Sequence, residues 1–195
     1  MAKVTGPLMS MDARGQLGKT LVYLGWKGLK TVRTFVVPAN PKTAGQTGQR
    51  TLMSDGVDGW HDTRLTGADK TAWDRFAKTL SSAMSGFNAF VRQYINVDIA
   101  GKTWKLMFGG DEVSAVPGTQ DFEINTATGL AVSMRYGESP SSLINTEAMT
   151  EDGETGKYEK SIEDLVTGEK TYVQFYVTTE GNLGSESGIY EFVVP

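Results

Sequence analysis

The sequence predicts an α+β fold: a basic module of β-hairpin and helices over residues 1–105, followed by an acidic all-β sandwich over residues 106–195. Three observations predict it. Charge reverses sign near Lys105: 15 Lys and Arg stand against seven Asp before that point (net +8), and four stand against 16 acids after it (net −12), within a chain of −4. Apolar residues recur at helical spacing between about residues 70 and 95, then alternate in short runs towards the C-terminus. Between the two patterns, Gly109-Gly110-Asp111 and Pro117-Gly118 are turn signals. Charge asymmetry of this kind marks two modules that face different surroundings.

The elements follow in order. Within residues 17–37, Leu21 to Leu24 is a short apolar run. Leu29, Thr31, Arg33 and Phe35 alternate with Lys30, Val32, Thr34 and Val36, as in a half-exposed strand. Gly25-Trp26-Lys27-Gly28 supplies the turn of a hairpin. A lone hairpin is marginal in water, so it must pack on helices or on a neighbouring subunit. Residues 38–49, PANPKTAGQTGQ, read as an extended linker that becomes helical from Thr43, with Thr43 as the cap and the helix running to Trp60. Gly45, Gly48, Gly56 and Gly59 each weaken that helix by roughly 1 kcal/mol relative to Ala. Ala72, Trp73, Phe76, Ala77 and Leu80 form one face of a second helix. Phe87, Phe90, Val91, Tyr94 and Ile95 form one face of a third, which starts after Ser85-Gly86. The aromatic seam between these two helices reads as core. Strand-like runs then follow in FEINTATGLAVSMRYG, KYEKSIEDL, KTYVQFYVTT and SGIYEFVVP.

Composition excludes several classes. The chain has 195 residues, room for two small domains, and no cysteine, so it holds neither a disulfide nor a thiolate metal site. The opening MAKVTGPLMSMDARG lacks the apolar core of a signal peptide, and no stretch approaches the ~18 apolar residues of a membrane span. The expectation is a chain made in the cytoplasm that makes no use of membranes.

Two stretches resemble known families. MRYGESPSSL, followed by Leu165, Gly168 and Tyr172 and by Gly184-Ser185-Glu186-Ser187, resembles a fibronectin type III (immunoglobulin-like) domain over residues 106–195. Thr167 stands where that family usually has proline, and Phe122 or Leu130 takes the place of its buried tryptophan. GKTLVYLGWKGLKTVRTFVVPANPKTAGQTGQR, then LTGADKTAWDRFA and SGFNAFVRQYI, is similar to an uncharacterised family of bacteriophage and prophage structural proteins over residues 15–95. That resemblance implies a virion component and carries no catalytic residues.

The residues suggest little chemistry. Gly18-Lys19-Thr20 imitates the end of a phosphate-binding loop, but Ala13 stands where that motif needs glycine, and a strand follows where it needs a helix. His61 is the sole histidine; Ser54 and Asp58 near it match the chance content of a surface helix. Glu151-Asp152-Gly153-Glu154 is acidic but lacks the ligand series of a calcium loop. Adjacent Glu163 and Asp164 would point to opposite faces of a strand. The sequence therefore predicts no catalytic residue, no metal site and no cofactor.

Arg14, Lys19, Lys27, Lys30, Arg33, Lys42 and Arg50 interleave with Tyr23, Trp26 and Phe35. Such a surface suits an acidic protein partner or, less well, a nucleic-acid backbone. The expectation is a non-enzymatic bacteriophage virion protein, in capsid decoration, a neck or portal-adjacent ring, or the tail. Its partners would be other virion proteins and copies of itself. Trp26, Lys27, Arg33, Pro38, Asn40, Pro41, Gln49 and Arg50 are the candidate assembly interface. One alternative is a module binding a host-surface glycan or protein through exposed aromatics such as Tyr158 and Tyr190; another is a packaging protein that touches nucleic acid.

Overall fold

Two lengths of chain fold on themselves in the computed structural model, which describes residues 2–3, 14–40, 42–112, 116–153 and 155–195. They are Met1–Thr43 and Ala44–Pro195.

The first unit is a four-stranded antiparallel sheet of β1 (Ala2–Lys3), β2 (Gly15–Leu17), β3 (Leu21–Trp26) and β4 (Leu29–Thr34), in the order β1-β4-β3-β2. The predicted hairpin is β3–β4, with Trp26 paired to Leu29 across a two-residue turn. Lys27 and Gly28 hold φ of 46° and 79° there, the left-handed pair that matches the twist of a hairpin.

The second unit opens with three helices: α1 (Ala44–Trp60), α2 (Gly67–Thr79) and α3 (Gly86–Ile99). α2 starts on a capping box: Thr66 Oγ1 accepts from the Asp69 N–H at 3.3 Å, and Asp69 Oδ2 accepts from the Thr66 N–H at 2.7 Å. α3 starts on Ser85, whose hydroxyl accepts from the Asn88 N–H. The predicted aromatic seam forms the helical core. Trp73 and Phe90 are buried, with ring centroids 5.2 Å apart and nearly perpendicular, and Trp60 meets Phe90 at 5.5 Å. Gly56 and Gly59 of α1 lie against Val91, Tyr94 and Phe90 of α3, so two of the glycines that weaken α1 permit its docking.

Five of the eight strands that follow lie in the strand-like runs of the sequence; those at Phe108–Glu112, Asn145–Ala148 and Thr150–Glu151 do not. Together the eight close a sandwich of two four-stranded antiparallel sheets. One contains β5 (Phe108–Glu112), β6 (Gln120–Asn125), β10 (Lys157–Ile162) and β9 (Thr150–Glu151), in the order β5-β6-β10-β9. The other contains β12 (Glu186–Val193), β11 (Lys170–Val177), β7 (Val132–Gly137) and β8 (Asn145–Ala148), in the order β12-β11-β7-β8. This is the strand arrangement of an immunoglobulin-like sandwich. Phe122, Ile124, Met134, Val173 and Phe175 fill the space between the sheets. Phe122 is fully buried, while Leu130 packs at the margin. Tyr172 alternates away from the core, under the guanidinium of Arg75.

The boundary expected near Lys105 does not divide the packing. Helices and sandwich belong to one unit, because α2 lies along β12 and β5. Gly188 of β12 makes the approach possible: a Cβ there would collide with the backbone of Ala72 and Trp73. The helix thereby covers two strands that would otherwise be open sheet edges. Charge divides accordingly. Residues 1–43 carry seven Lys and Arg against one Asp, +6, and residues 44–195 carry −10. Among the described residues, no helix is long and apolar enough to cross a membrane.

Candidate functional site

The residues expected at an assembly interface fall in both units. Lys27 sits exposed in the hairpin turn, and Arg33 is exposed on β4, paired with Val22. Pro38 and Asn40 are exposed in the segment after β4. Gln49 and Arg50 are exposed on α1, which belongs to the other unit. The backbone of Trp26 pairs with Leu29, while the side chain of Trp26 and all of Pro41 lie outside the described residues.

The sheet of the first unit has an unusual pattern of faces. Cross-strand partners share a face, and neighbours along a strand alternate. Leu17, Leu21, Tyr23 and Val32 therefore share one face, and Val22, Leu24 and Leu29 share the other. Both faces carry apolar side chains. An antiparallel sheet with one solvated face is apolar on one side only; apolar residues on both sides are the mark of a sheet covered twice. Yet no described side chain of β2, β3 or β4 is buried; Leu17 and Leu29 remain 49% and 45% exposed. The basic residues are divided as well: Lys30 pairs with Gly25 on the first face and Arg33 with Val22 on the second. Arg14, Lys27 and Lys30 line a shallow concavity of about 260 Å³.

The residues weighed for catalysis have structural surroundings. Gly18-Lys19-Thr20 is the turn between β2 and β3, and the Thr20 hydroxyl donates to the carbonyl of Leu17. His61 closes α1 with its N–H directed to the carbonyls of Val57 and Asp58, and its side chain is exposed, as are Ser54 and Asp58. In the acidic loop, Glu151 accepts from the N–H groups of Gly129 and Gly156 and so braces two turns; Glu154 lies outside the described residues. Asp164 takes a left-handed turn conformation with φ of 62° after the end of β10. Among the described residues, no group of three or more His, Asp or Glu side chains is placed to hold a metal ion.

Tyr158 and Tyr190, the aromatics considered for ligand contact, are buried at 1% and 4% exposure and cannot serve that role. The Tyr158 hydroxyl accepts from the Leu130 N–H and donates to the Ala127 carbonyl, tying down the β6–β7 loop.

Tyr190 belongs to a polar centre not anticipated from the sequence. Its hydroxyl makes a short hydrogen bond to Asp69 Oδ1. The same oxygen accepts from the Gly109 N–H at 2.8 Å, and Oδ2 accepts from the Thr66 N–H and hydroxyl at 2.7 and 2.8 Å. One carboxylate, 1% exposed, thus joins the start of α2 to β5 and β12. Burial, and then the neighbouring Asp69 charge, push the Tyr190 phenol well above its usual pKa of 10. Close by, Arg75 donates to the Ile189 carbonyl at 2.7 Å and approaches Glu191 at 3.3 Å. Thr66-x-x-Asp69 is a readable capping pattern; its reach to Tyr190, 121 residues away, is not.

No family model and no curated protein matches the chain. A solved structure, the bromine derivative of BhCBM56, is similar over 43% of this chain and 88% of its own, at 14% identity and a TM-score of 0.36. A likeness that weak carries nothing about function.

Proposed function

We propose that the chain is a non-enzymatic virion structural protein, of the kind found in bacteriophage particles, which docks through its N-terminal sheet and presents the helix-backed sandwich. One observation supports this reading: a four-stranded sheet with apolar residues on both faces and no buried described side chain. Covering a half-exposed Leu, Val or Tyr contributes on the order of 1 kcal/mol each, so such a sheet gains stability by ordering against other protein. Capsid decoration, a neck ring and a tail component all offer that kind of cover, repeated by symmetry.

Charge supports the same assignment. A +6 sheet unit suits acidic protein neighbours, and a −10 body keeps a crowded particle surface soluble. A nucleic-acid role fits less well, since Lys30 and Arg33 lie on opposite faces rather than along one track. The titrating groups also have structural surroundings: Lys170 holds the Glu191 carboxyl below its ordinary range, and burial, then the Asp69 charge, raise the Tyr190 phenol.

The test compares the solution mass of the full chain with its place in purified particles. The expected result is many copies per particle, with a shortened chain of residues 44–195 folded but not incorporated. A full-length monomer with no place in any particle would refute the reading.

A further inference from the structure

The turn between α1 and α2, the segment after α3 and the β6–β7 loop line an open cleft of about 370 Å³ within the Ala44–Pro195 unit. Its lining combines three kinds of group. Trp104, Leu106 and Phe108 are half-buried, and the helical core holds them from behind, with Trp104 5.6 Å from Phe90 and 6.0 Å from Tyr94 between ring centroids. Asp62 and Arg64 form a two-point ion pair, with Nε to Oδ1 at 2.9 Å and Nη2 to Oδ2 at 2.7 Å. The same Oδ1 accepts from the Arg64 N–H at 2.9 Å, and the guanidinium carbon stands 5.2 Å from the centre of the Phe108 ring. The third kind is a hydroxyl: Thr126 Oγ1 is buried with no hydrogen-bond partner among the described residues.

From these groups we infer that the cleft binds a saccharide, a role beyond the structural one proposed above. A sugar ring offers C–H faces for the aromatic lining and neighbouring hydroxyls that donate and accept. The Asp62–Arg64 pair presents an acceptor and a donor side by side in one plane, held rigid before any ligand arrives. Hydrogen bonds from the Arg64 side chain, and then from its backbone, hold the Asp62 carboxyl down at about 2, so the pair stays ionised at all ordinary pH. Thr126 Oγ1 is shut off from solvent at the cleft wall, and rotation about χ1 would turn it to a third ligand hydroxyl. The volume lies within the roughly 300–1,000 Å³ typical of small-molecule sites. A nucleotide fits worse: Asp62 neutralises Arg64, leaving Lys105 as the one uncompensated cation of the lining. The cleft is open, and Arg64 is 57% exposed, so affinity should be near 1 mM, as for small ligands worth about 4 kcal/mol.

The test is saturation-transfer NMR on the full chain with maltose, cellobiose, lactose and diacetylchitobiose, beside adenosine monophosphate and a tetraglutamate peptide. At least one disaccharide is expected to bind near 1 mM. Arg64→Ala and Thr126→Val should each weaken it about 5-fold or more, while Glu138→Ala, at the β7–β8 turn, leaves it unchanged. Circular dichroism confirms that each variant folds; if one does not, the other decides alone. The inference is overturned if no disaccharide gives transfer at about 10 mM, if binding survives in both variants, or if the nucleotide or the peptide binds in preference.

Discussion

Replacing Asp69 with Ala should destabilise the helices and the sandwich together. The substitution strands the Tyr190 hydroxyl, which is buried, and the Gly109 N–H, and it removes half of the α2 capping box. Each buried donor left without a partner costs about 1–3 kcal/mol, and a lost cap about 1 kcal/mol. Partial relaxation brings the total to about 3–5 kcal/mol, a large part of the 5–15 kcal/mol that holds a domain folded. For a unit of this size, that corresponds to a fall in melting temperature of about 6–20 °C. The assay is urea denaturation followed by circular dichroism, for the helices, and by tryptophan fluorescence. Both probes should move together through one transition. Tyr190→Phe alone should cost about 1–2 kcal/mol. The double variant should cost less than the sum of the two, because the two side chains share one bond. A loss below about 1 kcal/mol for Asp69→Ala, strict additivity, or two separate transitions would each refute the claim that this carboxylate joins the parts.

The remaining predictions concern the same seam. Because the phenol of Tyr190 is raised in the folded chain, its contribution is fully present below the unfolded pKa of 10 and is lost as pH rises towards the folded value; stability should fall above pH 10, and Tyr190→Phe should flatten that limb of a pH–stability curve measured in urea. Gly188→Ala should cost about 1–3 kcal/mol by forcing α2 away from β12, and a thermal melt unchanged from the parent would contradict the packing described.

The periodic elements were readable because their causes are local. Trp73, Phe76 and Ala77 recur with the helical repeat, and Val173, Phe175 and Val177 with the strand repeat, so each pattern announced its element. The division into units was not readable in that way. Net charge placed a break near Lys105, but charge describes what faces water, whereas the break between units depends on what is buried. The contact between Ala72 and Gly188 leaves no trace in either neighbourhood, since a glycine in a strand reads equally as a bulge, a bend or a close approach. Tyr158 and Tyr190 misled for a related reason: a tyrosine on an acidic β segment looks like a ligand contact until its hydroxyl is seen to have partners inside. Among the candidate interface residues, Lys27 was legible from its turn, whereas the separation of Gln49 and Arg50 from the sheet required the fold.

The bond between Asp69 and Tyr190 also has a consequence for the order in which the chain can be made. α2 leaves the ribosome first, and the strand on which it rests follows 121 residues later. At about 5–20 residues per second, that interval is about 6–24 s. Throughout it the helix lacks the sandwich cover of Ala72 and carries a carboxylate whose distant partner does not yet exist. The helical segment must either wait, loosely collapsed, or be held by a chaperone. A chain broken off before β12 would strand the helices as well as lose a strand, which makes the emergence of β12 the step that commits this unit to its fold.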